Sequence, residues 1–372
     1  MYFHTQQLIN EIVPDQPDPF AANALQEGLG GQFGEMRTMM QYLFQSVNFR
    51  GPAVQYKDLI HAVAVEEISH VELIATTIAR LLDGAPGYQP NGDGGVPGAG
   101  GGTPLQSILH TGNIHHFLVG AQGALPVDAA GNPWSGSYVY NSGNLVLDLL
   151  YNLMLEATGR TQKCRIYEMS DNKTLRATVA YLIVRDEVHE KVFAKALESL
   201  GVDWGKTLPI PNFDATKYPE VKALYDTGIQ NVQYTFRLDG SRAGEVFQGA
   251  SPFNDGTTIR MMDRPEQGFA IPQAPERLEE FAPGLTPELM ELAQAAAAMA
   301  AGGPRVSGSG VNLSGAAAGS AASAGAAPPR TAGGTEPLVR VEKDGQEIPL
   351  KGGEKIDLTA DEPTARPTSA SS

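Results

Sequence analysis

Four stretches of the chain carry apolar residues at the three-four spacing of a helix face. From Ala21 to Val47, the positions Leu25, Leu29, Gln32, Met36, Met39, Leu43 and Val47 share one side, which predicts an amphipathic helix. Gly28, Gly30, Gly31 and Gly34 each weaken helix propensity by about 1 kcal/mol relative to Ala. The segment is therefore either one helix pressed against a neighbouring backbone or a helix broken near Gly30. Gly51-Pro52 closes it and opens a second helix, from about Val54 to Leu82, with the stripe Ile60, Val63, Glu67, His70, Ile74, Ile78, Leu81. A third helix is expected over about Asn144 to Met169, with Leu145, Leu149, Leu153 and Glu156 on one face. Ser170-Asp171 reads as the cap of a fourth, which runs to about Leu200 with the stripe Leu175, Val179, Leu182, Asp186, His189, Phe193, Leu197, Leu200.

The segments between are loop-like. Pro14, Pro17 and Pro19 favour an extended arm before the first helix. Asp83 to Thr103 is a Gly/Pro loop, a short helix is expected from about Pro104 to Leu118, and Gly120 to Gly143 returns to loop chemistry. A connection this long suits an all-α four-helix bundle whose second and third helices run parallel. Three regions follow: the bundle with its arm over residues 1–200, an irregular extension over 201–282 that packs on the bundle or on a neighbouring subunit, and an Ala/Gly/Ser/Pro-rich tail over 283–372. Within the tail, an Ala-rich helix is expected from Thr286 to Ala301, a linker from Gly302 to Thr335 and a small hairpin between Glu336 and Leu358.

Both ionisable interruptions of the apolar stripes have the form carboxylate-x-x-histidine: Glu67-x-x-His70 and Asp186-x-x-His189. Each follows a helix with one inward carboxylate, Glu35 in the first pair and Glu156 in the second. Folded antiparallel, the pairs aim four carboxylates and two imidazoles at one volume, an inventory suited to two divalent metals of the Mn, Fe or Zn type. Without metal, six such groups in a core would be costly. Asp58-x-x-His61 has the same spacing, but His61 lies nine residues before His70, half a revolution away at about 3.6 residues per turn, and faces outward. Glu66 competes with Glu67, and Glu187 with Asp186; the apolar seams favour Glu67 and Asp186. Tyr42 lies two turns after Glu35, where its hydroxyl can reach a carboxylate or serve as core. His4, His110, His115 and His116 are assigned surface or structural roles, and Cys164 a packing role.

The runs Leu25-Gln26-Glu27-Gly28-Leu29-Gly30-Gly31-Gln32-Phe33-Gly34-Glu35, Glu66-Glu67-Ile68-Ser69-His70-Val71-Glu72 and Ser142-Gly143-Asn144-Leu145 closely resemble the manganese catalases, over about Met1 to Pro275. The resemblance implies a ferritin-like bundle and places the family's metal ligands on Glu35, Glu67, His70, Glu156 and His189, with Glu67 bridging two manganese ions. Tyr42 matches a tyrosine behind the ligands. Asp186 stands where some members have glutamate, and is expected to act in proton transfer through water. Leu155 stands where the same members have arginine. Asp58 matches one ligand of a calcium site found in some members, but Ala62 replaces another carboxylate, so calcium is left open. The implied assembly is a homo-hexamer.

The composition narrows the field further. With 42 acidic against 27 basic side chains, a formal net charge of -15, the chain is a poor partner for nucleic acid or anionic lipid. One cysteine excludes an intrachain disulfide framework, and no run approaches a membrane span, which together suit a soluble cytoplasmic protein. The leading expectation is disproportionation of hydrogen peroxide at a dinuclear manganese centre. The competing ones are a ferritin-like di-iron oxidase or iron store, and a coat protein that retained the bundle.

Overall fold

The structure is a computed structural model that describes residues 4–83, 113, 115–211, 213–273, 340–343 and 346–349. The chain divides into two compact units, Met1–Ala293 and Gln294–Ser372. In the first, six helices carry the fold: α1 Pro19–Gly30, α2 Glu35–Val47, α3 Val54–Leu82, α4 Leu145–Glu168, α5 Lys173–Ser199 and α6 Pro219–Thr227. In the second, β6 Arg340–Lys343 and β7 Gln346–Pro349 form the expected antiparallel hairpin. The expected loop over 84–103, helix over 286–301 and linker over 302–335 lie outside the described residues. Of the helix expected over 104–118, the described part is the single turn His115–Leu118.

The first amphipathic segment is two helices. Pro19 sits in the first turn of α1, where its missing N–H costs nothing, and the Asp18 carboxylate caps that turn by accepting from the Ala21 amide. The chain then leaves helical geometry at Gly31–Gly34. Gly30 explains why: a Cβ there would lie 2.1 Å from the Val127 carbonyl oxygen. A neighbouring backbone does press close, and it does so at the break, so both sequence alternatives describe part of what happens. The cap of α5 is Asn172, whose side chain accepts from the Thr174 and Leu175 amides, and not Ser170-Asp171. Ser170 instead donates to the Asp18 carboxylate, tying the starts of α1 and α5 together.

Helices α2 and α3 run antiparallel, as do α4 and α5, and the two pairs form the bundle. Its interior is layered. One apolar cluster contains Leu73, Ile74 and Ile78 of α3 with Leu175, Val179 and Leu182 of α5. The other contains Leu59, Ile60 and Val63 of α3 with Leu149 and Leu153 of α4 and Val192, Phe193 and Leu197 of α5. Each such fully buried Leu or Ile contributes about 1.5–3 kcal/mol over an exposed one. Between the clusters lies a buried polar layer that includes Glu66, Glu67, His70, Arg185, Asp186 and His189.

The segment after Gly201 is more ordered than its pattern suggests. Strands β2 Val232–Tyr234, β3 Gly249–Ala250 and β4 Thr258–Met262 form a sheet in the order β2-β4-β3, with β2 parallel to β4 and β4 antiparallel to β3. Strands of two, three and five residues are too short to show a period, so the sequence gives no sign of them. The N-terminal arm adds β1 Gln7–Leu8 to β5 Phe269–Ala270.

The crossover is anchored by Gln26 of α1, which donates to the Leu125 and Val127 carbonyls and accepts from His116 Nε2. Burial and then His115 push the His116 imidazole down to about 4 from 6.5. A depressed histidine contributes stability that is complete above its unfolded value and is lost as pH falls through the folded one. Unfolding free energy should therefore drop by on the order of 3 kcal/mol on this account between pH 6.5 and 4. Urea titrations across that window should show a smaller fall for His116→Gln, which keeps a donor toward Gln26 without a titrating ring.

Candidate metal centre

The middle layer holds two overlapping groups. Glu35, Glu67 and His70 bring one potential ligand atom each within 4.8 Å of one another, and so do Glu67, Glu156 and His189. Glu67 is common to both. Its Oε2 lies 2.9 Å from His70 Nδ1 and its Oε1 2.9 Å from His189 Nδ1, while the outer carboxylates Glu35 and Glu156 each lie 3.6 Å from the imidazole on their own side. The two rings stack at 5.7 Å. All five side chains are at most 2 % exposed. Helix geometry accounts for the arrangement: Glu67 and His70 are three residues apart on α3 and so project together, and α2, α4 and α5 each add one group at the same height.

The donor set fits cations. Oε1 of Glu67 and both ring nitrogens of His189 make no hydrogen bond, although all are buried. Burial raises the Glu67 carboxyl, and the Glu35 charge adds to it, to about 7. Burial opposes charge on both imidazoles as well, but the surrounding carboxylates outweigh it and raise them well above the ordinary histidine range. The cluster thus holds protons among facing lone pairs, and divalent metals can displace those protons.

Four further residues complete the site, and the sequence pattern did not single them out for these roles. Glu66, set aside in favour of Glu67, turns to the far side of both rings: its carboxylate lies 3.5 Å from His70 Nε2 and 3.6 Å from His189 Nε2. Arg185 fixes it through Nε at 2.5 Å and Nη2 at 3.0 Å, and Gln233 of β2 donates to it at 2.9 Å. Arg185 in turn donates to the Ile229 and Val232 carbonyls, so the segment after Gly201 reaches the bundle centre. One carboxylate thus faces the Nε2 edges of both rings without a hydrogen bond, while their Nδ1 edges face Glu67. Glu66→Gln keeps the volume and removes the charge; manganese affinity, measured by chelator competition, should fall roughly 10–100-fold.

The fourth is Lys163, two turns after Glu156 on α4. Its Nζ lies 2.6 Å from Glu35 Oε1 and donates to both oxygens of Asp186 at 2.9 and 2.7 Å. Burial works against this ammonium, but Asp186 and then Glu35 hold it well above the usual lysine range. For Glu35, burial is likewise outweighed by Lys163, leaving its carboxyl well below the usual range. Leu155, where some family members carry arginine, is buried in the apolar cluster, so the nearby cation comes from Lys163 instead. Asp186 lies outside both potential ligand groups.

Tyr42 is fully buried, donates its hydroxyl proton to Glu156 Oε1 and packs against Phe193. Burial and the Glu156 charge raise its phenol well above 10, so it stays a donor. Glu187 belongs to a separate network with Arg160, Lys191 and Tyr225. Asp58 accepts from Arg237 Nη1 at 2.8 Å and from the Arg242 amide at 2.9 Å, so both of its oxygens are engaged and Arg237 supplies the positive charge there. His61 faces α2 and meets Ser46 Oγ, and exposed His4 pairs with Glu72. His110 lies outside the described residues. Cys164 is buried in the other apolar cluster.

Four helices around paired carboxylates and imidazoles define the class of carboxylate-histidine helical-bundle metalloproteins. Comparison with known proteins narrows the class. The profile of the family described as manganese containing catalase matches residues 1–302, and the chain belongs to that family. It is 44 % identical over 246 residues to a manganese catalase of Bacillus subtilis, covering 66 % of this chain and 83 % of the relative. It is 33 % identical over 274 residues to the manganese catalase of Lactiplantibacillus plantarum, covering 73 % and 95 %. A solved manganese catalase from Anabaena, KatB, is 24 % identical, covers 71 % of this chain and 100 % of its own, and superposes with a TM-score of 0.45.

Proposed function

We infer that the protein is a manganese-dependent catalase, converting two molecules of hydrogen peroxide to dioxygen and two of water. Membership of the family supports the activity, and the observation that carries the site is the sharing of Glu67 between two carboxylate-imidazole groups. When bound, a manganese pair supplies two-electron redox chemistry, taking electrons from one peroxide and returning them to the next.

The chain's own residues perform the rest. Glu67, shared by both groups, would hold both ions, with Glu35 and His70 on one side and Glu156 and His189 on the other completing the set of groups that would bind them. Glu66, held by Arg185 and Gln233, places a negative charge along the Nε2 edges of both imidazoles, whose Nδ1 edges face Glu67. Tyr42 holds Glu156 by donation and keeps its own proton. Lys163 offsets the Glu35 charge, and Asp186 holds the ammonium in place as a paired proton-holding group at the edge of the site. The apolar clusters above and below exclude bulk water.

Two ions per chain, a homo-hexameric assembly and a cytoplasmic location complete the reading. No helix among the described residues is long and apolar enough to cross a membrane. Purified protein should contain manganese at about two ions per chain, as the two ligand groups require, and release dioxygen from peroxide. Bound iron without dioxygen release would instead support the di-iron reading. Sedimentation as a monomer would remove the hexamer.

A further inference from the structure

At the break between α1 and α2, packing requires glycine: a Cβ on Gly30, Gly31 or Gly34 would lie 2.1, 2.4 or 2.7 Å from a backbone oxygen. Gly159, in the interior of α4, has no such requirement, although glycine there weakens the helix relative to alanine. A Cβ at Gly159 would lie 3.4 Å from Lys163 Nζ, 3.5 Å from Asp186 Oδ2 and 3.6 Å from the Phe33 carbonyl oxygen, all ordinary contact distances. Gly28 of α1 is the contrast, since a Cβ there would meet only methyl carbons, of Ile166 at 3.5 Å and Leu25 at 3.9 Å. Room for a methyl among methyls is slack in an apolar core. Room for a methyl among an ammonium, a carboxylate and a carbonyl is a polar niche.

The niche is buried and adjoins the candidate metal centre. Gly159 lies three residues after Glu156 and four before Lys163, so the three share one face of α4. Gly159, Lys163 and Asp186 are all buried. Lys163 donates to both oxygens of Asp186 and meets Glu35 Oε1 at 2.6 Å as an ion pair outside hydrogen-bond geometry, which leaves an ammonium N–H uncommitted. The niche thus presents one donor and two acceptors, within the roughly two to four polar partners that hold a buried water-sized molecule. An oxygen near the Cβ point has to shift by only about half an ångström to reach hydrogen-bond distance. Through Lys163 the niche is one side chain away from Glu35, a member of the first potential ligand group.

We propose that Gly159 is a positioning residue: by carrying no side chain, it leaves beside the Lys163–Asp186 pair a subsite that holds one hydroxyl of a small neutral molecule next to the Glu35 side of the centre. Hydrogen peroxide and water share this chemistry, each offering O–H donors to the carboxylate and carbonyl and a lone pair to the ammonium. Their assignment as substrate and product rests on the catalase reading.

The test uses the full-length, manganese-loaded protein. Gly159→Ala fills the niche with a methyl, and Gly28→Ala adds the same methyl to a helix at an apolar position. Both variants should keep full manganese content and, in the metal-free state, a urea midpoint at or above wild type. Gly159→Ala should lower kcat/KM for peroxide tenfold or more, and Gly28→Ala should leave it unchanged. A loss carried by KM with kcat kept assigns the hydroxyl to incoming peroxide; a loss carried by kcat with KM kept assigns it to a water retained through turnover. Crystals of the wild type should show an oxygen within hydrogen-bond distance of Asp186 Oδ2 and the Phe33 carbonyl, and crystals of Gly159→Ala should not. Wild-type kcat/KM in Gly159→Ala, losses that track lost manganese, or a wild-type crystal without that oxygen would overturn the proposal. So would a Gly159→Ala chain that fails to fold, since packing would then require the glycine. A wild-type protein that releases no dioxygen would defeat the catalase reading itself and leave the crystallographic test of the niche standing.

Discussion

Glu67→Ala is expected to remove manganese binding and dioxygen release together while leaving the bundle folded. Glu67 is the one side chain common to both potential ligand groups, with an oxygen 2.9 Å from each imidazole Nδ1. Without it, each group keeps one carboxylate and one histidine, and nothing fixes the spacing between them. The loss should therefore exceed the roughly 10–100-fold typical of removing an outer partner such as Glu66. The fold should survive, because the apolar clusters on either side do not include Glu67 and its removal takes one like charge from a crowded layer. The same residue sets a pH dependence. Its carboxyl is raised to about 7 by burial and by Glu35 and must be deprotonated to bind metal, as must the two imidazoles that the carboxylates hold above the ordinary histidine range, so manganese loading should weaken as pH falls, with the Glu67 contribution lost below about 7. Metal analysis and circular dichroism on the variant, with manganese titrations of the wild type at several pH values, check both limbs. Full manganese content in Glu67→Ala would mean that the centre lies elsewhere.

Lys163→Met should produce the largest loss of stability in the metal-free protein. The ammonium is 4 % exposed and offsets two buried carboxylates, Glu35 and Asp186. Removing one partner of a buried ion pair costs about 3–5 kcal/mol, because the remaining charge is left uncompensated. Asp186→Asn in the same background should recover part of that loss, since the two residues are in contact and their effects are coupled. Urea denaturation of the two single variants and the double variant tests this. Additive single losses, with no recovery in the double variant, would show that Asp186 is not the lysine's principal partner.

Long, regular elements were legible in the sequence. The range Val54 to Leu82 coincides with α3, and α4 and α5 differ from their expected ranges by a residue or two at their ends, because sustained three-four periodicity over many turns leaves little freedom. The break between α1 and α2 was half legible: four glycines announced it, but the Val127 carbonyl that presses on Gly30 comes from a distant loop that periodicity does not see. The β2-β4-β3 sheet was invisible because its strands are shorter than the windows in which alternation shows.

At the site, the stripes indicated which groups point inward, and the structure brings Glu35, Glu67, His70, Glu156 and His189 to one layer. They could not indicate what lies behind that layer. Glu66 lost to Glu67 in a contest for one role, whereas both are fully buried and face opposite edges of the imidazoles. Lys163 had a readable signal, since it lies two turns beyond Glu156 on the same face, but a lysine on a helix is ordinarily solvated. Arg185 had none, because its partners in the 229–233 segment are set by tertiary contact alone.

The central claim is that two manganese ions sit on either side of Glu67. Anomalous scattering at the manganese edge from a crystal of the purified protein tests it most directly. The expected result is two peaks, one between Glu35 and His70 and the other between Glu156 and His189, with Glu67 reaching both. A single peak, a signal at the iron edge in place of manganese, or metal away from Glu67 would contradict it.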